Sequence, residues 1–136
     1  MQIEKILTAN DVGKTGAHQA GICVPKKGGF LDFFPKLDVS EKNPRSIITF
    51  TDESGGKWKF NFIYYNNKFF GGTRNEYRLT GMTKFFFKQN LKINDKIILK
   101  KSNTGDYFIN YNKPFRSGTI ILSNTWKILD LWMKNY

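Results

Sequence analysis

The 136-residue sequence contains one cysteine, Cys23, and one histidine, His18. No internal disulfide is possible, and a zinc site of about four Cys or His ligands is excluded. A Ser-His-Asp triad would depend on that single histidine in a glycine-bearing loop, and no G-x-S-x-G elbow accompanies it. No acidic residue is followed by E-x-K or D-x-K, and there is no H-x-K pair, so the usual nuclease centres are missing. No apolar run approaches the roughly 20 residues of a membrane helix. The opening MQIEKILTAND turns polar too soon for a signal peptide. The lone cysteine suits a reducing cytoplasm.

One tempting fragment is incomplete. Gly13, Lys14 and Thr15 match the end of the phosphate loop G-x-x-x-x-G-K-[ST], but Thr8 stands where its first glycine belongs. Gly16 and Gly21 disfavour the helix that must follow. Nucleotide hydrolysis is therefore the weakest of the readings, and no bond-breaking chemistry is expected from this chain.

Positive charge is abundant. Lys and Arg number 22 against 11 Asp and Glu, for a net charge of +11. Residues 1–45 hold seven basic and five acidic residues; the remainder hold fifteen and six, so most of the excess lies downstream of residue 45. Such a field draws in phosphate backbones or anionic lipid, although many small basic proteins carry it only as a solubilising surface. A membrane-surface role lacks the cationic amphipathic helix it needs.

The patterning is mostly that of strands. QIEKIL (2–7) starts one, with Ile3 and Ile6 expected inward, and ICVP (22–25) reads as a short buried strand containing Cys23. Phe30, Leu31, Phe33 and Phe34 suit a short helix broken before Pro35. SIITFTD (46–52) and KWKFNFIYY (57–65) alternate around the turn ESGG, with Trp58, Phe60 and Phe62 on one face and Lys57, Lys59 and Asn61 on the other. A short helix capped by Thr83 follows. Strands are then expected over 96–102, 106–112 and 118–124, with turns at NTGD and KPFRS. The closing TWKILDLWMKNY spaces Trp126, Leu129, Trp132 and Met133 as a core-facing helix capped by Thr125. The sum is a mainly β domain over 1–136, an open antiparallel barrel of about seven strands with two or so short helices. Strands this close leave no room for crossover helices, so parallel pairing is not expected.

Two polar segments carry the chemistry. In FFGGTRNEYR (69–78), Arg74, Asn75, Glu76, Tyr77 and Arg78 cluster, and two of the chain's four arginines are among them. Arg reads guanine through O6 and N7, Asn reads adenine, and Glu accepts from cytosine N4. A cross-strand salt-bridge patch accounts for the same residues equally well, because Arg74, Glu76 and Arg78 share one strand face. In GKTGAHQAG (13–21), Lys14, Thr15 and Gly16 suit backbone phosphate, while His18 and Gln19 offer base-edge donors and acceptors. A plain surface loop is the competing reading. Lys26, Lys68, Thr73 and Lys84 are further candidates for phosphate contact.

ANDVGKTGAHQAGICVPK (9–26) and YYNNKFFGGTRNEYRLT (64–80), in this order, resemble the N-terminal effector-binding domain of EcoRII-type restriction endonucleases. The resemblance implies a DNA-binding pseudobarrel of the plant B-three type, whose two arms grip the major groove at a CC(A/T)GG-like site. It places His18 on the first arm, and Arg74, Glu76 and Arg78 on the second as base readers supported by Asn75. The chain departs from the family's best-known member at Gly72, Tyr77 and Cys23, where that member carries Lys, Lys and Tyr. The resemblance further implies a prokaryotic cytoplasmic protein and a covalently linked catalytic nuclease domain. Magnesium would be needed only by that domain, and no cofactor by this one. Expected partners are double-stranded DNA and no membrane. A single-stranded nucleic-acid binder that stacks bases on Phe and Tyr is the alternative binding module.

Overall fold

The computed structural model describes residues 1–13, 20–113 and 125–129. Its eight strands are β1 (Gln2–Ile6), β2 (Gly21–Val24), β3 (Arg45–Thr51), β4 (Lys57–Tyr65), β5 (Glu76–Thr80), β6 (Lys96–Lys101), β7 (Tyr107–Asn112) and β8 (Trp126–Leu129). One helix, α1, spans Thr83–Lys88, and 3-10 turns cover Phe30–Phe33 and Asn67–Phe70. The strands form one sheet in the order β2-β5-β4-β3-β7-β6-β1-β8.

Val24 of the end strand β2 and Ile3 of β1, next to the other end, belong to a single buried cluster with Phe50, Phe60, Phe62 and Ile97, and Ile128 of β8 packs against it. The sheet therefore curls around its own core, an open pseudobarrel. Aromatics fill it by specific ring contacts. Phe34 stacks on Phe62 at 4.4 Å, and Trp58 meets Phe85 of α1 edge-on at 5.1 Å. Each buried Phe contributes roughly 1.5–3 kcal/mol of transfer free energy.

Period two places β4 as expected: Phe60 and Phe62 are buried, Trp58 is half-buried, and Lys57 and Lys59 are exposed. Its hairpin turn is built by Asp52. Oδ1 accepts from the Ser54 and Gly56 amides at 2.9 and 2.8 Å, and Oδ2 accepts from the Trp58 indole at 2.8 Å. Gly55 takes φ 87° there, which a side chain rarely adopts. The turn before Pro35 forms as a 3-10 turn with Phe33 buried.

Five expectations are corrected. β3 and β7 pair in parallel, over Phe50↔Tyr107 and Thr51↔Phe108 only. No crossover helix is needed, because curling brings the two strands together and the rest of the sheet forms the connection. The helix expected from Thr125 is instead strand β8, paired antiparallel with β1. Open backbone groups on β1 offer a full ladder to any strand beside them, and Trp126 packs on Phe30 at 5.2 Å without helical geometry. Thr83 is the first helical residue and caps nothing; its Oγ1 accepts the Ala20 amide at 3.3 Å. Ile3 is fully buried, but Ile6, three residues on, lies half-buried on the opposite phase, and Leu7 takes the inner place. Cys23 faces outward, because Ile22 and Val24 occupy the inward positions on either side. The strand expected over 118–124 and most of the KPFRS turn lie outside the described residues.

Candidate nucleic-acid interface

The geometry begins with the pairing of β2 and β5, Gly21↔Thr80 through Val24↔Tyr77. The first polar segment enters β2 at its Gly21 end; the second enters β5 at Glu76, beside Val24. Antiparallel pairing therefore puts the two segments at opposite ends of one short ribbon. At Gly21 the strands approach so closely that a Cβ would lie 2.5 Å from the Leu79 carbonyl oxygen. Only glycine fits there.

Each segment has a built root. At the first, Lys5 Nζ and Asp11 Oδ2 form a buried ion pair at 2.7 Å. Asp11 Oδ2 also accepts the Thr8 amide at 2.9 Å, and the Asp11 carbonyl accepts the Gly21 amide at 2.9 Å. Lys5 Nζ donates further to the Ile6 carbonyl and to Thr125 Oγ1. The start and end of the loop are thereby tied to β1. Lys14, Thr15, Gly16, His18 and Gln19 lie outside the described residues.

At the second root, fully buried Asn66 donates to the carbonyls of Val39 and Glu41 and accepts the Asn43 amide at 2.7 Å. The loop then closes on itself. The Lys68 amide donates to the Arg74 carbonyl at 2.9 Å, and the Gly72 amide donates to the Asn67 carbonyl at 2.7 Å. Lys68, Phe69, Phe70 and Thr73 form an exposed tip. Lys26 and Lys84 are exposed as well.

Between the roots, strand alternation sorts the cluster. Arg74, Glu76 and Arg78 fall on the outward face with Cys23, which is opposite Arg78. Arg74 pairs with Glu76, and its guanidinium lies 3.7 Å from the ring centroid of Tyr65, the cross-strand partner of Glu76. The salt-bridge patch allowed by the sequence is therefore formed. Arg78 is 7% exposed, and its Nη2 has no hydrogen-bond partner among the described residues. Cys23 Sγ sits 3.9 Å from Glu76 Oε2; burial, then the Glu76 carboxylate, pushes its thiol pKa up. The alternate positions serve the interior. Tyr77 stacks on Tyr64 at 4.1 Å and 3°, and burial raises its phenol. Asn75 Oδ1 accepts the Tyr64 hydroxyl at 2.6 Å.

Sequence reasoning did not single out Tyr65, Asn66, Asp11 or Lys5. Tyr65, Asn66 and Asp11 stand inside the quoted motifs, but their roles depend on register, on contacts with residues 39–43 and on the pairing with Lys5 of β1. No group of three or more His, Cys, Asp or Glu suited to a metal occurs among the described residues, and no helix there is long and apolar enough to cross a membrane. The clefts beside the β3–β7 seam, about 190 and 390 Å³, both carry Asp52 and Glu53, which repel phosphate.

The family model for the N-terminal region of restriction endonuclease EcoRII matches residues 1–126. The chain belongs to the EcoRII N-terminal family. The type II restriction enzyme EcoRII of Escherichia coli is 36% identical to this family member over 98 residues, 70% of this chain and 24% of the enzyme. The Arabidopsis thaliana auxin response factor 12 is 34% identical over 103 residues, 75% of this chain and 16% of the factor. The B3 domain-containing factor RAV1, also of Arabidopsis, is 30% identical over 118 residues, 85% of this chain and 31% of the factor. The chain thus spans a third or less of each of these relatives. Among solved structures, an Arabidopsis FUS3–DNA complex aligns with a TM-score of 0.63 at 23% identity, covering 81% of this chain and 94% of that one. The fold is the B3-type pseudobarrel.

Proposed function

We propose that this member of the EcoRII N-terminal family recognises a short double-stranded DNA sequence through the major groove, with its two arms on either side. The observation that carries the reading is the side of β2–β5 that bears Cys23: Glu76 and the nearly covered Arg78 stand on it between the two arm roots, and Arg74 pairs with Glu76 from the second arm. Four strand steps separate the roots, roughly 14 Å at 3.4 Å per residue. The major groove is about 12 Å wide, so a groove edge fits each arm.

In this reading Arg74 and Arg78 donate to guanine, and Glu76 accepts from cytosine N4. Asn75, Tyr77, His18 and Gln19 complete the base-reading set. Two of them act from behind in the free protein: Asn75 fixes Tyr64, and Tyr77 props the strand that presents its neighbours. Lys14, Thr15, Gly16, Lys26, Lys68, Thr73 and Lys84 hold phosphates. The target is a CC(A/T)GG-like site, and the domain serves as the targeting or effector part of a type II restriction endonuclease. The catalytic domain is a separate, covalently linked unit, and any magnesium belongs there.

Selection of duplexes from a random pool tests the reading. A single enriched motif, bound at least a hundredfold more tightly than random duplex, is expected. Equal binding of random duplex, or a preference for single strands, would refute it.

A further inference from the structure

The second arm ends in two phenylalanines that the core does not use. Phe69 is 67% exposed and Phe70 44%, and neither ring stacks on another among the described residues. The tip that holds them is tightly built. Gly71 has φ 88°, and a Cβ on Gly72 would lie 2.8 Å from Asn67 Cβ. Two rings held in water forgo the burial that makes Phe a core residue.

Their surroundings narrow the partner. Residues 66–75 carry Lys68 and Arg74 and no acidic residue. An apolar tip flanked by cations suits a polyanion that also offers an apolar group. In the major groove of duplex DNA that group is the C5 methyl of thymine. We propose that Phe69 and Phe70 pack on a thymine methyl, so that the second arm specifies an A·T pair beside the G·C contacts of Arg74. The inference rests on the duplex-DNA reading above but uses residues that reading leaves idle. Lys68 anchors the arm on phosphate while the rings test for the methyl.

The test removes only the methyl. A duplex enriched from a random pool is resynthesised with deoxyuridine at each thymidine in turn. One replacement should weaken the parent chain roughly fourfold, the size expected of one buried methyl group. The double variant Phe69→Ala, Phe70→Ala should bind the thymidine and deoxyuridine duplexes alike. It should also melt with the parent, because both rings are exposed. If the parent ignores every deoxyuridine replacement, or the enriched duplex holds no A·T pair, the methyl contact is overturned while the DNA reading stands. A variant that still loses fourfold on deoxyuridine overturns it too. If no duplex is enriched at all, the DNA reading falls and this inference falls with it.

Discussion

Arg74 is held from two sides. The Tyr65 ring covers one face of its guanidinium, and Glu76 takes part of its donor edge. Both partners of the ion pair are more than a third exposed, so the pair adds little stability, about 0–1 kcal/mol. Its value lies in orientation, because a planar fork aimed in advance loses less freedom on meeting guanine. Arg74→Ala should weaken cognate binding by about 1–3 kcal/mol and flatten the preference between cognate and random duplexes in a gel-shift titration. Tyr65→Leu should reproduce part of that loss of preference, whereas Tyr65→Phe, which keeps the ring face, should not. A merely structural Tyr65 would weaken all duplexes equally. Glu76→Gln removes the charge without the shape; its melting temperature should stay near the parent's while the preferred base changes.

At the scale of elements, the arm roots are worth more than the arms. Lys5 and Asp11 are both about 6% exposed, so removing one partner strands a buried charge. Asp11→Ala should cost about 3–5 kcal/mol in denaturant unfolding. The β3–β4 hairpin has a pH signature. The Trp58 indole, with Ser54 next, draws the Asp52 carboxyl pKa down from its ordinary 3.8 to about 2. A depressed folded pKa stabilises the hairpin above about pH 4 and loses that support as pH falls through about 2. Carboxyl NMR should place the Asp52 midpoint near 2, and Trp58→Phe should move it up. Such elements were partly legible beforehand. Period two in KWKFNFIYY fixed the face of β4, and glycine placed the turns. The tail differs from its helical pattern because the three-residue step from Trp126 to Leu129 suits a helix, whereas the strand turns Trp126 and Ile128 to the core, and only the open side of β1 decides between them. The outward turn of Arg74, Glu76 and Arg78 follows from alternation. The Tyr65 contact does not, because it needs the β4–β5 register.

Across the whole molecule, a charge of +11 makes affinity for any polyanion fall steeply with salt. Lys14→Ala should weaken cognate and random duplexes alike and reduce the slope of log K against log salt by about 0.9, one phosphate's share. Isothermal titration over a range of salt concentrations would measure it. If the slope is unchanged, Lys14 holds no phosphate.

Strand β1 lies between β6 and β8, paired with Lys96–Lys101 on one side and Trp126–Leu129 on the other. The first of these eight strands in chain order is thus among the last to find partners. At about 5–20 residues per second it waits several seconds for β6 to be made. Ile3 and Leu7 stay uncovered meanwhile, and β2–β5 can assemble first because its partners lie closer in sequence. The ribbon bearing Arg74, Glu76 and Arg78 would then exist before the barrel closes, and β1, with the Lys5–Asp11 clasp, would be the lock added at the end.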